Sequence, residues 1–218
     1  MDKLLTVIYY TSNREDPVFE QKIRNRLLKS AGDLPIISVS HKPIDLGINI
    51  CVGPHTPNDH NLYRQIQIGC KAATTPFVIA AEADCIYPED YFKYIPTDGT
   101  DHFYRYANIW ILYKKFNYFF QKSSSECGMI AGREFFIETI DKMLEGLPEW
   151  DESKDVKLKK ISLLHKWNTF GDVTGNPIVS FKTNKGLRQF TRTINNTSDI
   201  ESLPYWGSVK SLKEEFGL

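Results

Sequence analysis

The first 95 residues alternate between short apolar runs and longer stretches in which apolar positions recur every three or four residues. Leu4 to Tyr10 is apolar, β-branched and aromatic, and too short for a buried helix, so it predicts a strand. From about Pro17 to Lys29, Val18, Ile23, Leu27 and Leu28 supply an approximate helical stripe that Gly32 stops. Ile36 to Ser40 reads as a second strand. A Gly/Pro/Asn-rich passage from Lys42 to Asn61 follows, mostly loop, with a short strand at Ile48 to Val52. Asn61 is the expected cap of a helix running to Ala73, and Pro76 opens the strand that begins at Phe77. The aromatic piece from Phe103 to Tyr113 reads as one further strand. This order predicts an α/β fold with a mainly parallel, Rossmann-like central sheet flanked by helices, and ligands at the carboxyl ends of its strands.

One of those ends carries chemistry. The run Phe77-Val78-Ile79-Ala80-Ala81 leads into Glu82-Ala83-Asp84 and then Pro88. Acids at i and i+2 on a strand face the same side, where they either converge on a hard cation such as Mg²⁺ or Mn²⁺ or stand as solvated acids at a strand end. After the first strand, Tyr10, Thr11, Ser12, Asn13 and Arg14 bring an aromatic face, hydroxyls, an amide and a guanidinium to the same rim. Those groups suit a nucleotide and its phosphates, and equally an ordinary polar turn before a helix. Neither G-x-x-x-x-G-K-[ST] nor G-x-G-x-x-G occurs, which argues against a P-loop or a dinucleotide site.

Taken together, Leu4–Arg14, Pro35–Ser40, Gly47–Gly53, Asn61–Gly69 and Ala72–Pro76 leading into Glu82-Ala83-Asp84 resemble the nucleotide-sugar-dependent glycosyltransferases with the GT-A fold, of the family 2 kind. The resemblance covers about the first 95 residues well and the rest in outline. It implies a single domain in which 1–95 bind the nucleotide sugar and 96–218 form the acceptor side. It implies a hexosyl- or pentosyltransferase with a donor, a UDP-sugar in this reading, on Tyr10, Thr11, Asn13, Arg14, Arg64 and Gln65. Mn²⁺ or Mg²⁺ would sit on Asp84 aided by Glu82, and transfer would invert the sugar. It further implies that Ser123–Phe136 line the acceptor side, with Gly128 and Gly132 letting substrate approach the backbone. The base would come from the acidic patch Glu149–Asp155, with Asp151 and Glu152 as candidates and Trp150 stacking on a sugar. One departure is plain: no His stands near the last strand as a third metal ligand. His165 is the nearest, and Lys182, Lys185 and Arg188 are cations available to a leaving diphosphate.

Composition narrows the rest. At 218 residues and 41% hydrophobic the chain can build one sizeable core, and its formal net charge is zero. From Lys154 to Arg192, however, nine Lys or Arg stand against two Asp, a net of +7. That segment is either a solvated face or a phosphate-binding surface, so the acceptor could be a glycan or, as in a phage-type enzyme, a hydroxymethylated pyrimidine in DNA. The four cysteines are dispersed and no run reaches the ~20 apolar residues of a membrane span, which predicts a cytoplasmic protein. A nucleotidyltransferase and an inactive nucleotide-binding module are the other classes compatible with paired acids on such a sheet.

Overall fold

A computed structural model of the protein describes residues 3–122, 125–154, 158–187 and 200–218. Strands β1 (Leu5–Thr11), β2 (Ile36–Ser40), β3 (Ile48–Cys51) and β4 (Phe77–Glu82) pair in parallel in the order β3-β2-β1-β4. Next to β4 lies β9 (Met129–Gly132), antiparallel to it, followed by β6 (Phe103–Tyr106) and β10 (Trp167–Phe170). The chain is thus an α/β protein with a mostly parallel seven-stranded sheet. A second sheet joins β5 (Cys85–Ile86), β11 (Ile178–Lys182), β7 (Ile109–Tyr113) and β8 (Phe119–Lys122). A short hairpin, β12 (Ser202–Leu203) with β13 (Gly207–Ser208), completes the strands among the described residues.

Alternation along β1 explains the layering. Leu5, Val7 and Tyr9 point into one core cluster with Phe77, Ile79 and Ala81 of β4. Ile8 and Tyr10 point into another, with Val78 and Ala80. Buried on both faces, the strands need near-continuous apolar sequence, which is what they have. Helices α2 (Asp59–Ala72) and α4 (Arg133–Leu144) cover the Ile8 face through Tyr63, Ile66, Phe136 and Ile140. Helix α1 (Pro17–Ala31) touches the other face through Leu27 and reaches the second sheet through Phe19 and Ile23, where α5 (Val209–Phe216) also packs. The remaining helix, α3 (Glu89–Lys93), follows β5. Among the described residues no helix is long and apolar enough to cross a membrane.

Four local expectations are corrected. Val18 and Leu28 are exposed on α1; the buried stripe is Phe19, Ile23 and Leu27 with the Glu20–Arg24 ion pair, whose Glu20 accepts from the Tyr9 hydroxyl at 3.0 Å. Helix α2 begins at Asp59, because the Asn58 side chain, not Asn61, caps it by accepting from the Asn61 amide at 2.8 Å. Phe103–Tyr113 is two strands in two sheets. Buried Asn108 breaks the run, donating to the Gly175 carbonyl at 2.6 Å and accepting from the Trp110 indole at 2.8 Å. Finally, Gly128 and Gly132 face protein. A Cβ at Gly132 would lie 1.8 Å from the Thr100 carbonyl oxygen, and one at Gly128 2.9 Å from Ile178, so these glycines admit neighbouring chain and leave no room for substrate there.

Candidate functional site

The carboxyl ends of β1 and β4 lie side by side, with Tyr10 paired to Glu82 in the register. Because Glu82 continues the Val78–Ala80 face, its carboxylate turns toward Tyr10 and accepts a hydrogen bond from the phenol at 2.9 Å. The strand stops there. Ala83 and Asp84 form a turn, and the chain re-enters the second sheet at Cys85, anchored by the Phe181 amide donating to the Asp84 carbonyl at 2.7 Å. Glu82 and Asp84 do converge, but through this turn rather than along one pleated strand. Oxygen atoms of the two and the Cys85 sulfur lie within 4.8 Å of one another.

Burial and the neighbouring Asp84 charge push the Glu82 carboxyl up to about 7. The Lys182 ammonium, at the end of β11, donates to Asp84 at 3.3 Å, and that carboxylate holds the lysine charged by raising its pKa. The three groups lie close enough together that they could hold a metal ion. Two carboxylates suit a hard divalent ion that fills its remaining positions with water and phosphate oxygens, whereas the Cys85 thiol, buried and pushed up by that burial, does not. The donor set therefore fits Mn²⁺ or Mg²⁺, with Lys182 as the resident cation such an ion would meet.

Two pockets meet at this point and share Tyr10, Leu62, Glu82, Asp84, Gly186 and Leu187. The first is an open cleft that adds Thr11, Ser12, Arg14, Glu15, His41, Pro57, Asn58, Asn61, Gln65, Ala83 and Lys185. The second adds Asp59, Tyr63, Ile66, Lys122, Ser125, Glu126, Met129 and Lys182.

Most of the expected donor residues meet in the first pocket, in roles of two kinds. Arg14 and Lys185 are exposed there and available to a ligand. Gln65 is buried and donates to the Thr11 carbonyl at 2.9 Å and the Val39 carbonyl at 3.1 Å, so it buttresses the rim. Thr11 accepts from the Asn13 amide at 2.9 Å. Asn13 takes φ 52°, an uncommon conformation that Asn tolerates, and its side chain accepts from the Lys42 amide at 2.8 Å. Arg64 points elsewhere, donating to the Glu149 carbonyl at 3.0 Å and to Gln67 at 2.7 Å.

Asp151 and Glu152 lie outside both pockets. The Asp151 carbonyl accepts from Asn58 and Asn61, and its carboxylate from Ser153. Glu152 accepts from the Thr56 hydroxyl at 2.7 Å, the Thr56 amide at 2.9 Å and His55 at 3.1 Å, while Trp150 stacks on His55 at 3.8 Å. These contacts hold both carboxyls below their usual range. His165 is exposed at the end of a short 3-10 turn and lines neither pocket. Ser123, Ser124, Asp155, Arg188 and Arg192 lie outside the described residues. Of the other basic positions, Lys160 pairs with Glu145 and Lys182 with Asp84.

Sequence reasoning missed His41, Glu15 and Glu126. His41 follows β2 directly, and its Nε2 is buried without a partner among the described residues. Burial raises the pKa of Glu15, which accepts from the Thr183 hydroxyl at 2.8 Å. A polar residue immediately after a parallel strand is a signal that could have found the first.

No family model matches the sequence, and no curated protein does. Solved structures are similar in outline. A glycosyltransferase involved in the glycosylation of the major capsid of PBCV-1 aligns at TM-score 0.49 and 8% identity, covering 82% of this chain and 93% of that one. A mannosyltransferase from Pyrobaculum calidifontis, in complex with GDP-Man and Mn²⁺, aligns at 0.43 and 17%, covering 82% and 56%. The bifunctional IspDF from Campylobacter jejuni aligns at 0.41 and 10%, covering 67% and 46%. The chain thus spans about half the length of the last two. With all three scores below 0.5, the site's own residues must carry any functional reading.

Proposed function

We propose that the chain is a glycosyltransferase that moves a sugar from a nucleotide-sugar donor to an acceptor hydroxyl. The observation that carries this reading is the Glu82–Asp84 pair in the wall shared by two adjoining pockets, with Lys182 against Asp84. A two-substrate transfer needs that arrangement, with donor on one side, acceptor on the other and charge control between them. The nucleoside lies in the first pocket between the Thr11–Arg14 rim and His41, and the diphosphate lies toward Asp84 with Arg14 and Lys185 beside it. Residues 1–95 then bind the donor with Lys185–Leu187 contributed from the second half. The second pocket takes the acceptor.

A divalent ion held by Asp84 and Glu82 would supply Lewis-acid stabilisation to the departing diphosphate. The chain's own part is defined without it. Gln65 and Asn13 fix the rim, the Tyr10 phenol fixes the Glu82 carboxyl, and Lys182 brings a permanent positive charge to the place where negative charge develops. We propose UDP as the nucleotide and inversion as the stereochemical course, both on the resemblance alone.

Incubation of the full chain with a panel of nucleotide sugars, with and without Mn²⁺, tests the reading. Release of nucleoside diphosphate supports it. Release of pyrophosphate from a nucleoside triphosphate and a sugar phosphate replaces it with a nucleotidyltransferase. Nucleotide binding with neither release leaves an inactive binding module. Offering glycans and hydroxymethylpyrimidine DNA beside a productive donor then identifies the acceptor class.

A further inference from the structure

The second pocket holds a carboxylate that neither the rim nor the metal site uses. Of the acids lining it, Glu82 and Asp84 belong to the shared wall and Asp59 opens helix α2; the fourth is Glu126, in the 3-10 turn before β9. Two donors fix it. The Tyr63 hydroxyl donates to Oε2 at 2.9 Å, and the Arg105 guanidinium lies 3.4 Å from Oε1. Both donors are themselves immobilised. Tyr63 is buried on α2, and Arg105 on β6 donates to the Leu164 carbonyl at 2.9 Å and stacks over the Trp167 ring at 3.9 Å. Glu126 nevertheless keeps 26% of its side chain exposed, and each carboxylate oxygen retains acceptor capacity.

We infer that Glu126 is the catalytic base that receives the acceptor's hydroxyl proton, an assignment that rests on the glycosyltransferase reading above. In the step, the O–H proton passes to a Glu126 oxygen and the freed electron pair forms the bond to the anomeric carbon. The bond from that carbon to the diphosphate oxygen breaks, and its electron pair leaves with the nucleoside diphosphate. A single displacement requires base and leaving group on opposite sides of the sugar; Glu126 lines the second pocket and not the first, and Arg14 and Lys185 line the first and not the second. Glu126 is pinned by two buried donors inside the second pocket and so meets the positional demand of such a base, whereas the loop acids Asp151 and Glu152 line neither pocket.

Glu126→Gln and Glu126→Ala in the full chain, assayed with the productive nucleotide sugar, Mn²⁺ and water or a glycan as acceptor, test this. The expected result is a loss of about 10²–10⁴-fold in kcat for both variants, with donor KM changed by less than about threefold. Added formate should restore part of the Glu126→Ala rate and none of the Glu126→Gln rate. A merely structural partner of Arg105 would instead lower the melting temperature, raise donor KM and show no formate rescue, and that result overturns the assignment. So does a Glu126→Gln kcat within about threefold of the unsubstituted chain. Failure of the unsubstituted chain to turn over any nucleotide sugar would sink both readings; turnover that survives Glu126→Gln sinks only this one.

Discussion

Two acidic pairs in this chain look alike as sequence and differ in what surrounds them. Glu82 and Asp84 close a buried strand, face a phenol and an ammonium, and border two pockets. Asp151 and Glu152 sit in an exposed loop whose carboxylates are consumed by hydroxyls, amides and an imidazole. Burial pushes the Glu82 carboxyl up to about 7, while hydrogen bonds hold Glu152 below its usual range. A carboxylate in the first setting gains by meeting a cation. One in the second already has its partners, and its effect is to tie the loop at 149–153 to the start of α2.

The largest effect that follows is at Asp84. Asp84→Asn removes the charge shared with Lys182 and one of the two carboxylates proposed to hold a metal ion, so turnover should fall at least about 10²-fold while the melting temperature stays near that of the unsubstituted chain. Nucleoside diphosphate release and thermal melting check the two halves of this expectation. Near-normal turnover would break the contrast at its stronger end.

Tyr10→Phe should have a smaller effect. It deletes the phenol that orients Glu82 and leaves the ring in the core, a loss of about 1 kcal/mol and hence about five- to tenfold in turnover. A loss as large as that of Asp84→Asn would mean that the phenol does more than orient its neighbour.

How much of this was legible follows the same divide. Strands β1, β2 and β4 were readable because both faces are buried, and the continuous apolar runs at Leu5–Tyr10 and Phe77–Ala81 admit few other structures. The break between β6 and β7 was not, since Asn108 interrupts the run only through partners at Gly175 and Trp110. The convergence of Glu82 and Asp84 was legible from their spacing, although a turn rather than a pleat brings them together. Tyr63, Arg105 and Glu126 belong to α2, β6 and a 3-10 turn, and only tertiary packing joins them. Asp151 and Glu152 were candidates because an acidic cluster reads the same whether its oxygens are free or engaged. His41, Asn58 and Asn61 carried no chemical spacing at all.

A weaker effect is expected at Asp151. Asp151→Asn keeps the backbone carbonyl that Asn58 and Asn61 bind and disturbs only the turn with Ser153, so kcat should stay within about twofold and stability should fall slightly. A loss comparable to that of Asp84→Asn, measured on the same donor, would return this residue to the reacting centre and dissolve the contrast from its weaker end.

The smallest effect concerns pH and Glu152. Its folded pKa lies below the unfolded value because Thr56, first, and His55 donate to the ionised carboxylate. The sign is therefore fixed: the stabilisation is fully present above the unfolded pKa of about 4.3 and is lost as pH falls through the lower folded value. Glu152→Gln keeps an acceptor oxygen and removes the charge, so it should melt slightly below the unsubstituted chain at pH 7, and the gap should close as pH falls below about 4. Glu152 is largely exposed, so solvent screens the pair and the gap should also shrink in high salt. Thermal melts of both proteins at neutral and acidic pH, each at low and high salt, read this directly. A gap that keeps its size at acidic pH would show that Glu152 acts through packing rather than charge.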